Sequence, residues 1–292
     1  MNPELTAPVS SSTPLADVPE KRRRITFDNR YLAPIFITLI LLVGNVVGGI
    51  LESYEKTLLA IGSAIAAEIF LARLFTGKWP HLASSYITGI SVGILVRSPA
   101  VWPYAWTSVV SIMSKYVLRV KGRHIWNPSN FGISAMLFLA SFTGATLSVQ
   151  WGNSLPPMLV IWAVGALIIY RLKRLHITLT YVISFFLFAF VRSLITGHEW
   201  EAEISPITGP MYQLFIFFMI TDPKTTVKSK LGQCAVAVGI AFVEMIFRLF
   251  EVVHAPYYAL FLVGPTANLI EISLTSRGRA GNQPVITDAV KT

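Results

Sequence analysis

The sequence predicts an all-α polytopic membrane protein, with ten transmembrane helices in a five-plus-five inverted repeat and several of them short or broken. Three observations predict it. Of 292 residues, 53% are hydrophobic and only 13% charged, against about a quarter charged in a soluble globular domain. Ten apolar runs alternate with polar connections, and the basic residues sort between those connections by side. Two pairs of segments, five runs apart, echo each other.

In chain order, residues 1–30 open with "MNPELTAPVSSSTPLADVPE", rich in Pro and Ser, and predict a disordered cytoplasmic tail. "KRRR" at 21–24 follows. No small-residue cleavage pattern is evident, so the first apolar run acts as its own insertion signal. The runs are 32–51, 57–75, 82–97, 101–118, 129–142, 155–170, 177–195, 207–220, 231–249 and 256–274. A crossing helix needs about 20 apolar residues, so the third, fifth and eighth runs are short. Residues 31–275 thus form a single transmembrane domain with repeat halves at about 31–145 and 155–275, and 276–292 is a second cytoplasmic tail.

Charge sets the direction. With the amino terminus inside, 20 of the 24 Lys and Arg residues fall on the inner side, and only Lys56, Arg97, Arg192 and Arg248 fall outside. Basic residues collect on the cytoplasmic side of membrane proteins, and one missed or invented run would scramble the sorting. The reading is a multi-pass protein of the cell (inner) membrane with both termini cytoplasmic. It also accounts for the net charge of +9 with the lipid bilayer as partner and no nucleic acid. Trp79, Trp102, Trp126, Trp151 and Trp200 all fall at run ends, as interfacial anchors do. Cys234 is the single cysteine, which excludes an internal disulfide.

"YITGISVGILVRSPAV" at 86–101 echoes "PITGPMYQLFIFFMITDPKT" at 206–225: each begins Ile-Thr-Gly, continues apolar, and ends on a polar residue followed by Pro. A looser echo pairs "IWNPSNFGIS" in the fifth run with "LVGPTANLIEIS" in the tenth. Five runs is an odd number, so the copies point in opposite directions through the bilayer, the build of many transporters and of some electron-transfer subunits.

The polar interruptions are the candidate site. Asn127 followed by Pro128 is a helix start: Asn caps free N–H groups, and Pro gives up an N–H that has no partner there. Asn130 adds an amide one turn in, and Lys121, Arg123 and His124 make the entrance electropositive. Thr221, Asp222 and Pro223, in "MITDPKTT", stop the eighth run on the same face. Two breaks from different halves converging on one face predict a ligand site. Glu68, Glu244 and Glu271 are carboxylates inside runs, candidates for an ion path; the alternative is that each pairs with Arg73, Arg248 or a neighbouring amide. Thr146 lies in a small-residue turn, "TGAT", of the outer loop, with its hydroxyl open to modification. The five histidines show no ligand spacing, and no metalloprotease, phosphate-loop, nucleophile-elbow or dinucleotide motif is present. No metal site and no hydrolase are expected.

From the second run to the tenth these motifs resemble, in order, the D-type membrane component of the Rnf electron-transport complex and its relative, the B-type membrane component of the sodium-pumping (sodium-translocating) NADH:quinone oxidoreductase. "ITGISVGILVRSPAVWP" is similar to the family's Thr-Gly-apolar-Pro-Pro segment, "WNPSNFG" to its Asn-Pro segment, and "FFMITDPKTT" to its Thr-Asp-Pro motif. Shorter stand-alone relatives, including membrane proteins named for enediyne biosynthesis clusters, look similar too. The resemblance implies a flavin cofactor, FMN or riboflavin, near Asn127, Pro128, Thr221, Asp222 and Pro223; Asn130, where the family has an apolar residue, joins them as a cofactor-binding candidate through its own amide. It also implies Thr146 as the acceptor of a covalent FMN, with other Rnf-type subunits and a flavin-attaching enzyme as partners. "FLASFTGAT" has no acidic residue before the threonine, so a noncovalent flavin is the alternative. The function implied is electron transport coupled to ion translocation, by one component of a complex rather than a self-sufficient enzyme. The same architecture also suits a transporter or channel for a small polar solute, or an accessory scaffold.

Overall fold

A computed structural model of the chain describes residues 32–49, 51–141, 143–146 and 155–280. The tail expected at 1–30, Trp151 and residues 281–292 lie outside the described residues. The helices in order are α1 (Leu32–Gly48), α2 (Tyr54–Thr76), α3 (Ala83–Leu95), α4 (Trp102–Val117), α5 (Pro128–Leu139), α6 (Leu155–Arg171), α7 (Leu175–Thr196), α8 (Trp200–Ile204), α9 (Pro210–Leu214), α10 (Lys230–Leu249) and α11 (Ala255–Ala280). Each of the ten apolar runs falls on helix. The third, fifth and eighth are the short ones: α3 has 13 residues and α5 has 12. The eighth is the five residues of α9 followed by a π-helical turn, Phe215–Met219. Helix α8 lies in the acidic loop, where the apolar pattern predicts none. Helix α11 continues to Ala280, so residues 276–280 are not tail. Arg277 and Arg279 end the apolar run there without ending the helix.

Four helices, α2, α7, α10 and α11 over Ala255–Ser276, are long and apolar enough to cross a membrane. Their outward faces fit that solvent. On α7, Leu179, Ile183, Leu187, Phe190 and Leu194 are exposed at helical spacing, while Ile177, Tyr181, Phe185, Ala189 and Arg192 are buried on the other face. A long apolar stripe on the outside is out of place in water and at home against hydrocarbon.

Packing follows close approaches. Helix α2 packs on α3 and α4, α4 on α5, α7 on α10, and α10 on α11, with α5 crossing to α11. A methyl group on Gly89 of α3 would come within 2.5 Å of the Ile61 Cα of α2. One on Gly132 of α5 would come within 2.6 Å of the Thr107 carbonyl of α4. Small residues at such positions let helix backbones touch where lipid offers no hydrophobic drive.

The connections gather at two ends. At one end, strand β1 (Val96–Arg97) pairs antiparallel with β4 (Ala145–Thr146), Val96 opposite Thr146. There Glu52 accepts from Lys56 (2.6 Å), the Ser98 amide (3.2 Å) and the Tyr104 hydroxyl (2.8 Å). Burial alone would raise the Glu52 pKa, yet these three donors hold it below the usual carboxylate range. At the other end, β2 (Arg119–Val120) and β3 (Arg123–His124) form a hairpin with Lys121 and Gly122 at its tip, both at positive φ.

Candidate functional site

The site forms where two stretches of chain leave helical geometry inside the bundle. From Lys121 to Asn130 the backbone runs alongside α11 in the opposite direction. Lys121 bonds Ser276, Arg123 bonds Glu271 at 3.0 Å, the Trp126 indole donates to the Phe261 carbonyl at 3.0 Å, and the Asn130 amide donates to the Tyr257 carbonyl at 3.2 Å. From Ser276 to Tyr257 is roughly 28 Å of helix at 1.5 Å per residue, so α5 begins well inside the bundle, abreast of the first turns of α11.

Non-helical backbone at membrane depth is tolerated only where protein satisfies its polar groups. Asn268 of α11, 1% exposed, does so for both stretches. Its Nδ2 donates to the carbonyls of Ile125 (3.3 Å), Thr225 (2.5 Å) and Gly264 (3.2 Å), and its Oδ1 accepts from Arg123 (3.3 Å). Pro265, inside α11, has no N–H, which leaves the carbonyl four residues back, Phe261, without its helical donor. The Trp126 indole takes that vacancy. Expected as an interfacial anchor, Trp126 is a half-buried staple to α11 instead. Trp79, Trp102 and Trp200 are exposed at helix ends.

The two predicted breaks meet. Asn127 caps α5, its side chain accepting from the Asn130 amide N–H at 3.0 Å. Its Nδ2 faces the Asp222 carboxylate at 3.3 Å and the Met219 carbonyl at 3.4 Å. Asp222 in turn accepts from the Lys224 amide (3.0 Å) and the Thr225 hydroxyl (3.0 Å). The positive end of α5 thus already faces a carboxylate, that of Asp222. Pro128 is buried at the first position of α5, and Pro223 starts the exit turn. Thr221 is buried and spends its hydroxyl on the Phe217 carbonyl, 2.7 Å away. Asn130 keeps one buried atom, Oδ1, with no partner. Thr146 pairs with Val96 through its backbone; its side chain lies outside the described residues.

The three run-embedded carboxylates are not brought together. Glu68 is buried against Lys115 of α4, with the Tyr116 hydroxyl at 2.8 Å. Arg73, its expected alternative partner, lies over the Trp79 ring at 4.1 Å. Glu244, fully buried, takes Arg248 at 3.0 Å, the Tyr181 hydroxyl at 2.5 Å and the Tyr212 hydroxyl. Glu271 takes Arg123 and, at 2.6 Å, the Lys228 amide. Any ion path through these groups requires their pairs to open.

Beside the Asn127–Asp222 contact, the three connections 119–124, 172–174 and 220–229 line a cavity of about 470 Å3 that is open to solvent. Arg123, His124, Arg174, Lys224 and Lys228 line it, and no carboxylate does. Burial holds the His124 ring below its ordinary pKa; the Asp222 carboxylate opposes this, and Lys224, Lys115 and Arg119 reinforce it. His124 is therefore largely uncharged at neutral pH. Sequence reasoning missed Lys115, Tyr181 and Tyr212 as partners, and Arg174 as part of the site. Only the basic clustering of the connections carried a signal for Arg174. Among the described residues no group of three or more His, Cys, Asp and Glu side chains could hold a metal. No family model and no curated protein matches this chain.

Proposed function

We propose that the chain is the membrane component of a flavin-dependent electron-transport system, of the D type found in Rnf complexes, built as ten spans in two inverted halves with both termini on the inner face. FMN or riboflavin would be held between the halves, and the remaining subunits and any flavin-attaching enzyme would be its partners. The observation that carries the reading is the contact of Asn127 with Asp222. It joins two interrupted segments from different halves, part-buried where the bundle meets its connections.

Packing supports the repeat. Under a shift of five runs, α2 against α4 corresponds to α7 against α10, and α4 against α5 to α10 against α11. The sides agree as well. Connections expected inside touch one another, as in the 119–124, 172–174 and 220–229 cluster. Those expected outside do likewise, as where β1 pairs with β4 and the Ser98 amide donates to Glu52 at 3.2 Å. The correspondence is not strict: α5 starts at its Asn-Pro break, whereas α11 runs through Pro265 unbroken.

The residues fit a flavin's polar ring edge in part. Asn130 Oδ1 is a buried acceptor without a donor, within one helical turn of Asn127 and its Asp222 contact. Thr221, with its hydroxyl bonded to its own segment, fits as a packing residue rather than a direct ligand. When bound, the isoalloxazine supplies hydride and single-electron chemistry. The chain's own residues orient its edge, exclude water with the surrounding helices, and hold Asp222 against the α5 amino end.

Purification in mild detergent tests the reading. A visible flavin spectrum is expected, and Asp222→Ala should lower the flavin-to-protein ratio severalfold. Fluorescence that survives denaturing electrophoresis and vanishes in Thr146→Ala would assign covalent FMN to Thr146. A colourless protein that takes up a small solute into sealed vesicles without any reductant would replace this reading with the transporter.

A further inference from the structure

The cavity between the inner connections has a charge imbalance that neither the fold nor a flavin ring edge resolves. Of its cations, Arg123 is committed to Glu271 at 3.0 Å. Arg174, Lys224 and Lys228 make no ion pair among the described residues. Arg174 is only half-buried as a residue, but its Nη1 is shut off from solvent with no hydrogen-bond partner. A buried guanidinium N–H without an acceptor is costly, and Lys224 and Lys228, exposed on the cavity wall, add two like charges beside it. The wall holds no carboxylate to offset them. What resolves this is an anion with more than one negative charge and several acceptor oxygens. A carboxylate brings one charge; a phosphate monoester brings up to two and three terminal oxygens, which suits a guanidinium fork beside two ammonium groups.

We propose that this cavity binds a phosphate monoester, presented either by a soluble ester or by the headgroup of a phosphatidate lipid in the inner leaflet. Arg174 supplies the planar donor, Lys224 and Lys228 the point charges, and neutral His124 one further hydrogen bond. The site is made by both halves of the chain at once, so its occupation holds the 119–124 hairpin against the 220–229 stretch. The inference does not depend on the flavin reading.

The test uses the full chain in neutral detergent, titrated calorimetrically with inorganic phosphate, glycerol phosphate and dioctanoyl phosphatidate. Saturable binding at one site is expected. Arg174→Gln and Lys224→Gln should each weaken it about tenfold or more, the scale of one lost charge-assisted hydrogen bond. Lys78→Gln, in the connection between α2 and α3 and outside the cavity wall, should leave it unchanged. Thermal midpoints without ligand show whether the variants are folded, and Arg174→Lys serves as the charge-keeping alternative if Arg174→Gln is not. Phosphatidate binding at least tenfold tighter than glycerol phosphate identifies a lipid site; equal affinity identifies a soluble ester. Absence of saturable binding by all three probes overturns the proposal, as does equal weakening by Lys78→Gln and Arg174→Gln. Flavin content read on the same samples keeps the two proposals apart: a colourless protein that binds phosphate loses only the flavin.

Discussion

Asn268 shows what one side chain can carry when it is buried among backbone. It serves three carbonyls and receives one guanidinium, and two of those carbonyls, Ile125 and Thr225, belong to non-helical chain. Asn268→Leu should therefore destabilise by about 1–3 kcal/mol for each buried carbonyl left open. In detergent this reads as a thermal midpoint lowered by several degrees or as loss of monodisperse protein; an unchanged midpoint would mean the carbonyls find other donors. The sequence placed Asn268 in an echo motif and marked its neighbour Glu271 as an ion-path candidate. It did not disclose the hub, because a hydrogen bond across more than a hundred residues leaves no trace in local spacing. Asn127 and Asp222 were legible for the opposite reason: each sits beside a proline, and a proline in an apolar run announces a stop.

At the scale of elements, apolar length was the reliable signal. Every run predicted from it lies on a helix, and of the three short ones the eighth is irregular. The limits of the pattern are equally physical. The eighth run reads as one short helix yet divides into an α segment and a π turn. Its Phe217 ring packs where a Cβ on Gly165 of α6 would lie, 2.4 Å away, a fit that periodicity does not encode. The α2–α4 pair gives a sharper test. Lys115 and Glu68 are both buried, and removing one member of such a pair leaves a lone charge, at a cost of about 3–5 kcal/mol. Lys115→Met alone should lower the thermal midpoint strongly, and adding Glu68→Leu should recover most of the loss. A double variant no better than the single would show that Glu68 has a second role beyond its partner.

For the whole molecule, the count of basic residues predicts the direction of the chain, and connections expected on one side lie together at one end of the structure. Labelling can decide it. On a background with Cys234→Ala, single cysteines at Ser229 and at Glu199 lie in connections assigned to opposite faces. A membrane-impermeant thiol reagent added to sealed right-side-out vesicles should label Glu199→Cys and spare Ser229→Cys; the reverse order, or equal labelling, would refute the assigned topology. Some basic residues counted by side proved to be structural: Lys115 and Arg192 are buried in ion pairs. The sorting survives because the remaining inner cations far outnumber the outer ones.

The stretch 121–127 belongs to the first half, but the donors it leans on are in α11, the final helix. Synthesis from amino to carboxyl end must therefore deliver α5 to the bilayer before its scaffold exists. That stretch waits, exposed or held by the insertion machinery, until the last segment leaves the ribosome. A chain terminated before residue 255 would strand it permanently, which makes the late helix the step that commits the protein to its final shape.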